Sequence, residues 1–317
     1  MSKFTRLLAA LLCLMLVACV PAMAEDAVRV VALKGPTAMG LVKQMKDAET
    51  DGGYEYNIVS AVDEVAPLLV KGEADVACVP ANLASVLYNN TEGGVKVLAI
   101  NTLGVLYIVE KGDSIHSAAD LKGRTVYASG KGATPEYALN YILAGNGIDP
   151  ENDLTIEWKS EHAECLAALM EADEGVAMLP QPFVTVAQTK KDDVRIALDL
   201  TREWENLETD SAMLTGVVIA RKDFVENNPE AVAAFMEAYA ASVQYVNENN
   251  EEAAQLIGQY GIVASAVAAK ALPYCNIVCI GGEEMKTLLG GYLNVLFEQD
   301  AGAVGGALPN EDFYYIP

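Results

Sequence analysis

Short runs of β-branched and aromatic residues alternate along this chain with amphipathic stretches, and that alternation narrows the possible folds more than any other feature. Val28–Leu33, Tyr54–Val59, 75–79, 95–100 and 105–110 read as strands. Residues 38–47, 63–70 and 81–88 between them read as helices joined by short turns. The β-α-β-α-β order argues for an α/β fold built on a parallel sheet. After a polar connector over 113–123 the rhythm restarts, with strands at 124–128, 154–158, 176–179 and 194–198. Helices from Thr134, over 160–170 and from Gln181 to Thr189 alternate with them, which predicts a second α/β lobe of roughly a hundred residues. A polar segment (201–210) and a β-branched run (214–220) follow. From Phe224 onward the pattern predicts helices without interleaved strands, covering the outside of a lobe.

The chain of 317 residues is long enough to bury two such cores. It carries 21 Lys and Arg against 44 Asp and Glu, a net charge of −23, which repels phosphate backbones and anionic headgroups. Nucleic acid is therefore not an expected partner. Lys3 and Arg6 precede an apolar run from Leu7 to Val20, too short for a comfortable membrane span, and this reads as a secretory signal. Two cleavage readings stay open. Ala22-Met23-Ala24 is an A-x-A site, with a signal over residues 1–24 and release of the mature protein; Leu16-Val17-Ala18-Cys19 resembles a lipobox ending at residue 18, which would leave Cys19 lipidated. Either way the protein is expected to be extracytoplasmic.

The stretch Ser129-Gly130-Lys131-Gly132-Ala133-Thr134-Pro135-Glu136 falls at a strand-to-helix turn. Gly130 and Gly132 permit positive φ, Thr134 suits an N-cap, Pro135 the first helical position, and Glu136 the positive helix end. Free backbone amides at such a start can hold an anion or a polar ligand group, although a capped turn that binds nothing has the same pattern. GxxxxGK[ST] and the dinucleotide fingerprint are both absent.

Ligands of open parallel sheets bind beyond the carboxyl ends of strands. That rule selects five turns: Gly35-Pro36-Thr37-Ala38, Pro80-Ala81-Asn82, Gly130 to Thr134, Ser160-Glu161-His162, and Pro180-Gln181-Pro182-Phe183. If two lobes face each other, these helix starts converge on one cleft suited to a compact ligand with an acceptor group such as a carboxylate or sulfonate. Singly, each residue has a plainer role. Thr37 and Asn82 cap helices, Glu161 complements a helix dipole and Phe183 fills core; His162 either meets a ligand, acts as a base or faces solvent, and Trp158 and Trp204 are candidates for the cleft rim, although Trp158 on a strand reads as core. Convergence is what carries weight.

No HExxH, no GxSxG and no patterned Cys–His pair is present, which lowers the expectation of catalysis. Cys78 and Cys165 read as buried thiols. Cys275 and Cys279, four apart, allow a metal pair or a disulfide, but no second Cys/His pair has zinc spacing, so packing is the favoured role. No cofactor and no metal is expected.

Several of these segments resemble one known family. Ala119-Asp120-Leu121-Lys122-Gly123-Arg124-Thr125-Val126 followed by Gly130-Lys131-Gly132-Ala133-Thr134 resembles the nitrate/sulfonate/taurine-type substrate-binding proteins of bacterial ABC importers. Gly72 to Ala77 with Pro80-Ala81-Asn82, Val176 to Phe183, and Asn228-Pro229-Glu230-Ala231-Val232 resemble further segments of the same proteins, in the same order. The resemblance implies a type II periplasmic-binding fold with two lobes, each a mostly parallel sheet flanked by helices, and two crossover strands. Lobe one would comprise 28–104 and 216–317, lobe two 105–215, with hinges near 102–107 and 213–217. It implies a monomer that traps a small organic ligand by hinge closure and delivers it to a membrane permease. By matched position the ligand contacts would come from Thr37, Asn82, Gly132, Thr134, His162 and Gln181, and Ala38, Pro80, Gly130, Ala133, Glu161 and Phe183 on the same turns complete the candidate set. It also favours the lipid tether at Cys19, which relatives often carry. The alternative on the same fold is an enzyme resembling those that make a thiamine pyrimidine precursor; their cysteine-rich signature is missing, and an export signal contradicts a cytosolic role.

Overall fold

A computed structural model describes residues 27–317; the leader, with Cys19 and both cleavage readings, lies outside the described residues. The first half lays down β1 (Val28–Leu33), α1 (Pro36–Met39), α2 (Val42–Asp51), β2 (Tyr54–Val59), α3 (Val65–Val70), β3 (Val76–Pro80), α4 (Ala81–Asn90) and β4 (Val95–Leu103). A second set follows: β5 (Leu106–Lys111), β6 (Thr125–Ser129), α5 (Thr134–Gly145), β7 (Thr155–Lys159), α6 (His162–Glu171), β8 (Gly175–Pro180), α7 (Phe183–Lys190), β9 (Val194–Asp199) and α8 (Leu200–Glu205). The chain then returns through β10 (Leu214–Arg221), α9 (Lys222–Asn227), α10 (Pro229–Glu248), α11 (Asn250–Gln259), α12 (Ser265–Ala271), β11 (Ile277–Ile280) and α13 (Gly282–Gln299).

These strands form two sheets, ordered β11-β4-β10-β3-β1-β2 and β7-β6-β8-β5-β9, one at the centre of each lobe. β1 pairs in parallel with β2 and β3, and β6 in parallel with β7 and β8, as the alternating pattern requires. The sheets are nevertheless mixed. β10 runs antiparallel to β3 and β4, and β5 antiparallel to β8 and β9, because both strands belong to segments that cross from one lobe to the other. The crossings are Gly104-Val105, between β4 and β5, and the segment from α8 to β10.

Both faces of the first sheet are covered, which explains its continuously apolar strands. Val31, Ala77, Val79, Val217 and Ile219 enter one core, while Val30, Ala32, Val76, Cys78 and Val218 enter another beneath Phe235 and Tyr239 of α10. The first core continues into lobe two through Met213, Trp204 and Tyr292.

Four sequence expectations need correction. The polar segment 201–210 holds a helix, α8, whose Asp199 cap accepts the Thr201 amide at 3.0 Å. The helical tail contains a strand, β11, four residues long and paired only at the edge of the first sheet. The helix expected over 38–47 is two pieces, α1 and α2, broken at Gly40 and Leu41. Trp204 is not on a cleft rim; it is fully buried, 4.3 Å from Tyr141 and 5.7 Å from Tyr292 between ring centroids, and its indole nitrogen donates to Ser211 Oγ. Trp158, by contrast, is half-buried against the core. Cys78, Cys165, Cys275 and Cys279 are all free thiols, and no metal-holding cluster of His, Cys, Asp or Glu occurs among the described residues.

Candidate functional site

In lobe two, β6, β7 and β8 lie side by side, so the turns after Ser129, Lys159 and Pro180 open on one edge of the sheet. Gly130 has φ 86°, and a Cβ there would meet the Pro135 ring at 2.7 Å, so glycine is required. The structure moves the helix cap by one residue from the expected Thr134 to Ala133, which is extended and exposed; Thr134 and Pro135 open α5. The Gly132 amide, which the sequence offers to a ligand, donates instead to Glu136 Oε2 at 2.5 Å. The next turn repeats the device, with the Ser160 amide on Glu164 Oε2 at 2.9 Å. Each of these helix starts therefore holds a carboxylate of its own.

His162 begins α6, behind the exposed Glu161, which caps the helix with its backbone. Its Nδ1 lies 2.6 Å from Ser129 Oγ, and its ring packs on Phe183 at 5.4 Å between centroids. Burial pushes the His162 pKa below the ordinary imidazole value against the opposing pull of Glu161, which favours the neutral ring. Gln181 is 98% out of solvent: its amide donates to the Val105 carbonyl at 3.0 Å, and its Oε1 accepts Thr185 Oγ1 at 2.9 Å. Gln181 Nε2 is buried with no protein partner. An unmet buried donor costs about 1–3 kcal/mol, which an acceptor from a ligand or water would recover.

In lobe one, Thr37 is buried and its hydroxyl donates to the Leu33 carbonyl at 2.8 Å. Ala38 is fully buried, with its amide on the Gly35 carbonyl. Asn82 neither caps α4 nor stands free, since its amide nitrogen reaches the Ala303 carbonyl at 3.2 Å. Pro80 ends β3 opposite Gly216 of β10. A Cβ on Gly216 would strike Thr37 Cγ2 at 2.4 Å and Asn101 Oδ1 at 2.5 Å, so the glycine lets β10, β4 and α1 close together here. Asn101 is the residue that sequence reasoning missed. It is 1% exposed, its amide nitrogen donates to the Thr37 carbonyl at 3.2 Å, and its Oδ1 accepts from Thr102. The available signal was a pair of polar residues ending an apolar strand run.

The two sets of turns meet through the first crossing. Asn101 holds the Thr37 turn and Val105 holds the Gln181 turn, four residues apart on one chain. Four residues reach no more than about 14 Å, so the anchors of these two turns lie within that distance of each other. Lys131 is exposed at the turn after β6, and Lys159 pairs with Glu157 at 3.1 Å.

A family profile described as NMT1/THI5-like matches residues 95–253, half of the chain. No curated protein sequence matches significantly. Among solved structures, an ABC transporter protein from Parabacteroides distasonis superposes with a TM-score of 0.77 at 24% identity, over 92% of this chain and 99% of that one. The periplasmic aliphatic sulphonate-binding protein SsuA from Escherichia coli gives 0.72 at 17% identity, over 93% of each chain. The alkanesulfonate-binding SsuA from Xanthomonas axonopodis pv. citri, bound to MOPS, gives 0.61 at 16% identity, over 91% of this chain and 96% of that one. At these identities the likeness shows a shared two-lobed periplasmic-binding fold. With that architecture and the profile match together, this chain belongs to the NMT1/THI5-like family.

Proposed function

We propose that the protein is the extracytoplasmic solute-binding component of an ABC importer. It holds a small organic solute between its lobes, closes around it and passes it unaltered to a membrane permease. The observation that carries this reading is the approach of the Thr37 and Gln181 turns through Asn101 and Val105. A ligand bridging groups on both lobes stabilises the closed arrangement by its differential affinity for it. Structural relatives named as sulfonate binders support the assignment, and so does the absence, among the described residues, of a helix able to cross a membrane. Export with a lipid at Cys19, and action as a monomer, complete the reading.

The ligand class consistent with the site is a compact molecule with acceptor atoms: a sulfonate, a carboxylate or a pyrimidine. Ser129 does not favour an enzyme, because at 2% exposed its hydroxyl lies out of reach of a substrate. A thermal-shift screen of sulfonates, carboxylates, pyrimidines and amino acids tests the reading. Stabilisation by a compound recovered intact by mass spectrometry supports it, and turnover of that compound would replace binding with catalysis.

A further inference from the structure

Ser129 closes β6, and His162 opens α6 on the neighbouring turn, with 2.6 Å between Ser129 Oγ and His162 Nδ1. Three residues along the helix, the Cys165 thiol is fully buried beside the same hydroxyl. His162 Nε2 has no hydrogen-bond partner among the described residues, and the side chain is only half-buried.

The direction of the short bond follows from the supply of acceptors. A serine hydroxyl has one proton to give, and here it can reach an imidazole nitrogen or a thiol sulfur. The nitrogen is by far the better acceptor. The hydroxyl proton therefore goes to Nδ1, the thiol can donate to Ser129 Oγ behind it, and the ring's own proton is left on Nε2. The reverse direction would aim the hydroxyl at sulfur and lose most of one hydrogen bond.

We propose that a Cys165–Ser129–His162 chain holds His162 as the neutral Nε2–H tautomer, so that the cleft presents a hydrogen-bond donor there. It selects ligands carrying an acceptor atom, such as a sulfonyl, carboxyl or carbonyl oxygen or an aromatic ring nitrogen, and rejects amines. This rests on the reading of the cleft as a ligand site; Ser129 and Cys165 act as positioning residues. The surroundings favour the neutral ring. β6 and α7 face it with the uncharged Ser129 and Phe183. On α6 its charged neighbours are Glu161, which pulls toward protonation, and Glu164, which is occupied by the Ser160 amide. On β7, Lys159 is paired with Glu157 and lies over the Tyr127 ring at 5.3 Å.

Nitrogen-15 NMR of the ligand-free protein tests the assignment directly. The chain has two histidines, and His116→Gln leaves His162 as the only imidazole signal. At pH 7.5 the expected spectrum shows an unprotonated Nδ1 and a protonated Nε2. Ser129→Ala removes a bond to the neutral form, so the His162 titration midpoint rises and the Nδ1 signal moves. Ser129→Thr, which keeps the hydroxyl, restores both. An Nδ1–H tautomer in the parent protein, or a midpoint unmoved by Ser129→Ala, overturns the proposal. The parent spectrum decides even if Ser129→Ala fails to fold. No ligand enters the experiment, so its outcome is independent of the solute screen.

Discussion

The Tyr137 hydroxyl of lobe two donates to the Asp300 carboxylate of lobe one at 2.8 Å. Beside it, the Gln299 side-chain amide reaches the Tyr137 carbonyl at 3.0 Å. Burial, followed by the hydrogen bond to Asp300 and then its charge, pushes the Tyr137 phenol up to about 12, so it remains a donor at any physiological pH. With Trp204 between Tyr141 and Tyr292, the end of α13 braces one lobe against the other.

Removing that hydroxyl loosens the brace. Tyr137→Phe is expected to cost about 0.5–1.5 kcal/mol and to enlarge the radius of gyration of the ligand-free protein in X-ray scattering. An unchanged radius would mean that the contact does not restrain the lobes.

Trp204 contributes to both lobes at once, since it is fully buried between α5 and α13. Trp204→Ala is expected to destabilise the protein by about 3–5 kcal/mol in urea unfolding, and Trp204→Phe by much less. A loss under about 1 kcal/mol for the alanine variant would contradict its place in the shared core.

Most of this architecture was legible because its strands announce themselves. Val30 to Ala32, Val76 to Val79 and Val217 to Ala220 are buried on both faces, so their sequences are apolar without interruption. β11 was hidden because an edge strand of four residues, with both cysteines nearby, has too little pattern to separate it from helical neighbours. α8 was hidden because its buried face is carried by Leu200, Thr201 and Trp204 inside an otherwise polar run. At the site, the turns were legible from the rule about strand ends, but the partners were not. Nothing local in the sequence tells Asn82 to hold Ala303, or Glu136 to fill the Gly132 amide otherwise open to a ligand.

Stability should also depend on acid pH through Asp75. Burial alone would raise its pKa, but hydrogen bonds from Arg29, with the Arg29 and Arg221 charges, outweigh burial and lower it. A carboxylate with a folded-state pKa below its unfolded value stabilises fully above the unfolded pKa, about 3.9, and that contribution is lost as pH falls through the folded pKa. Glu110, 2% exposed and bound by Ser114, Ile115 and Arg195, acts in the same direction. The melting temperature should fall below about pH 4 in the parent protein. Asp75→Asn should be less stable at pH 7 and lose less on acidification; an identical pH profile would remove Asp75 from the account.

Gly216→Ala should distort the lobe-one end of the cleft, because the new methyl would meet Thr37 and Asn101. A cost of about 1–3 kcal/mol is expected, with weaker binding of any solute found in the screen. Full affinity and stability in this variant would show that β10, β4 and α1 can part freely.

The account's central claim is that one solute is held by turns from both lobes, and hydrogen exchange with and without a screening hit tests it most directly. The amides around Thr37, Asn82, Gly132, His162 and Gln181 are predicted to gain protection together, at one saturating concentration. Protection confined to one lobe would contradict the claim. So would protection only around the separate cavity of about 480 Å³ lined by Tyr107, Asp199, Thr201, Tyr274 and Asn276.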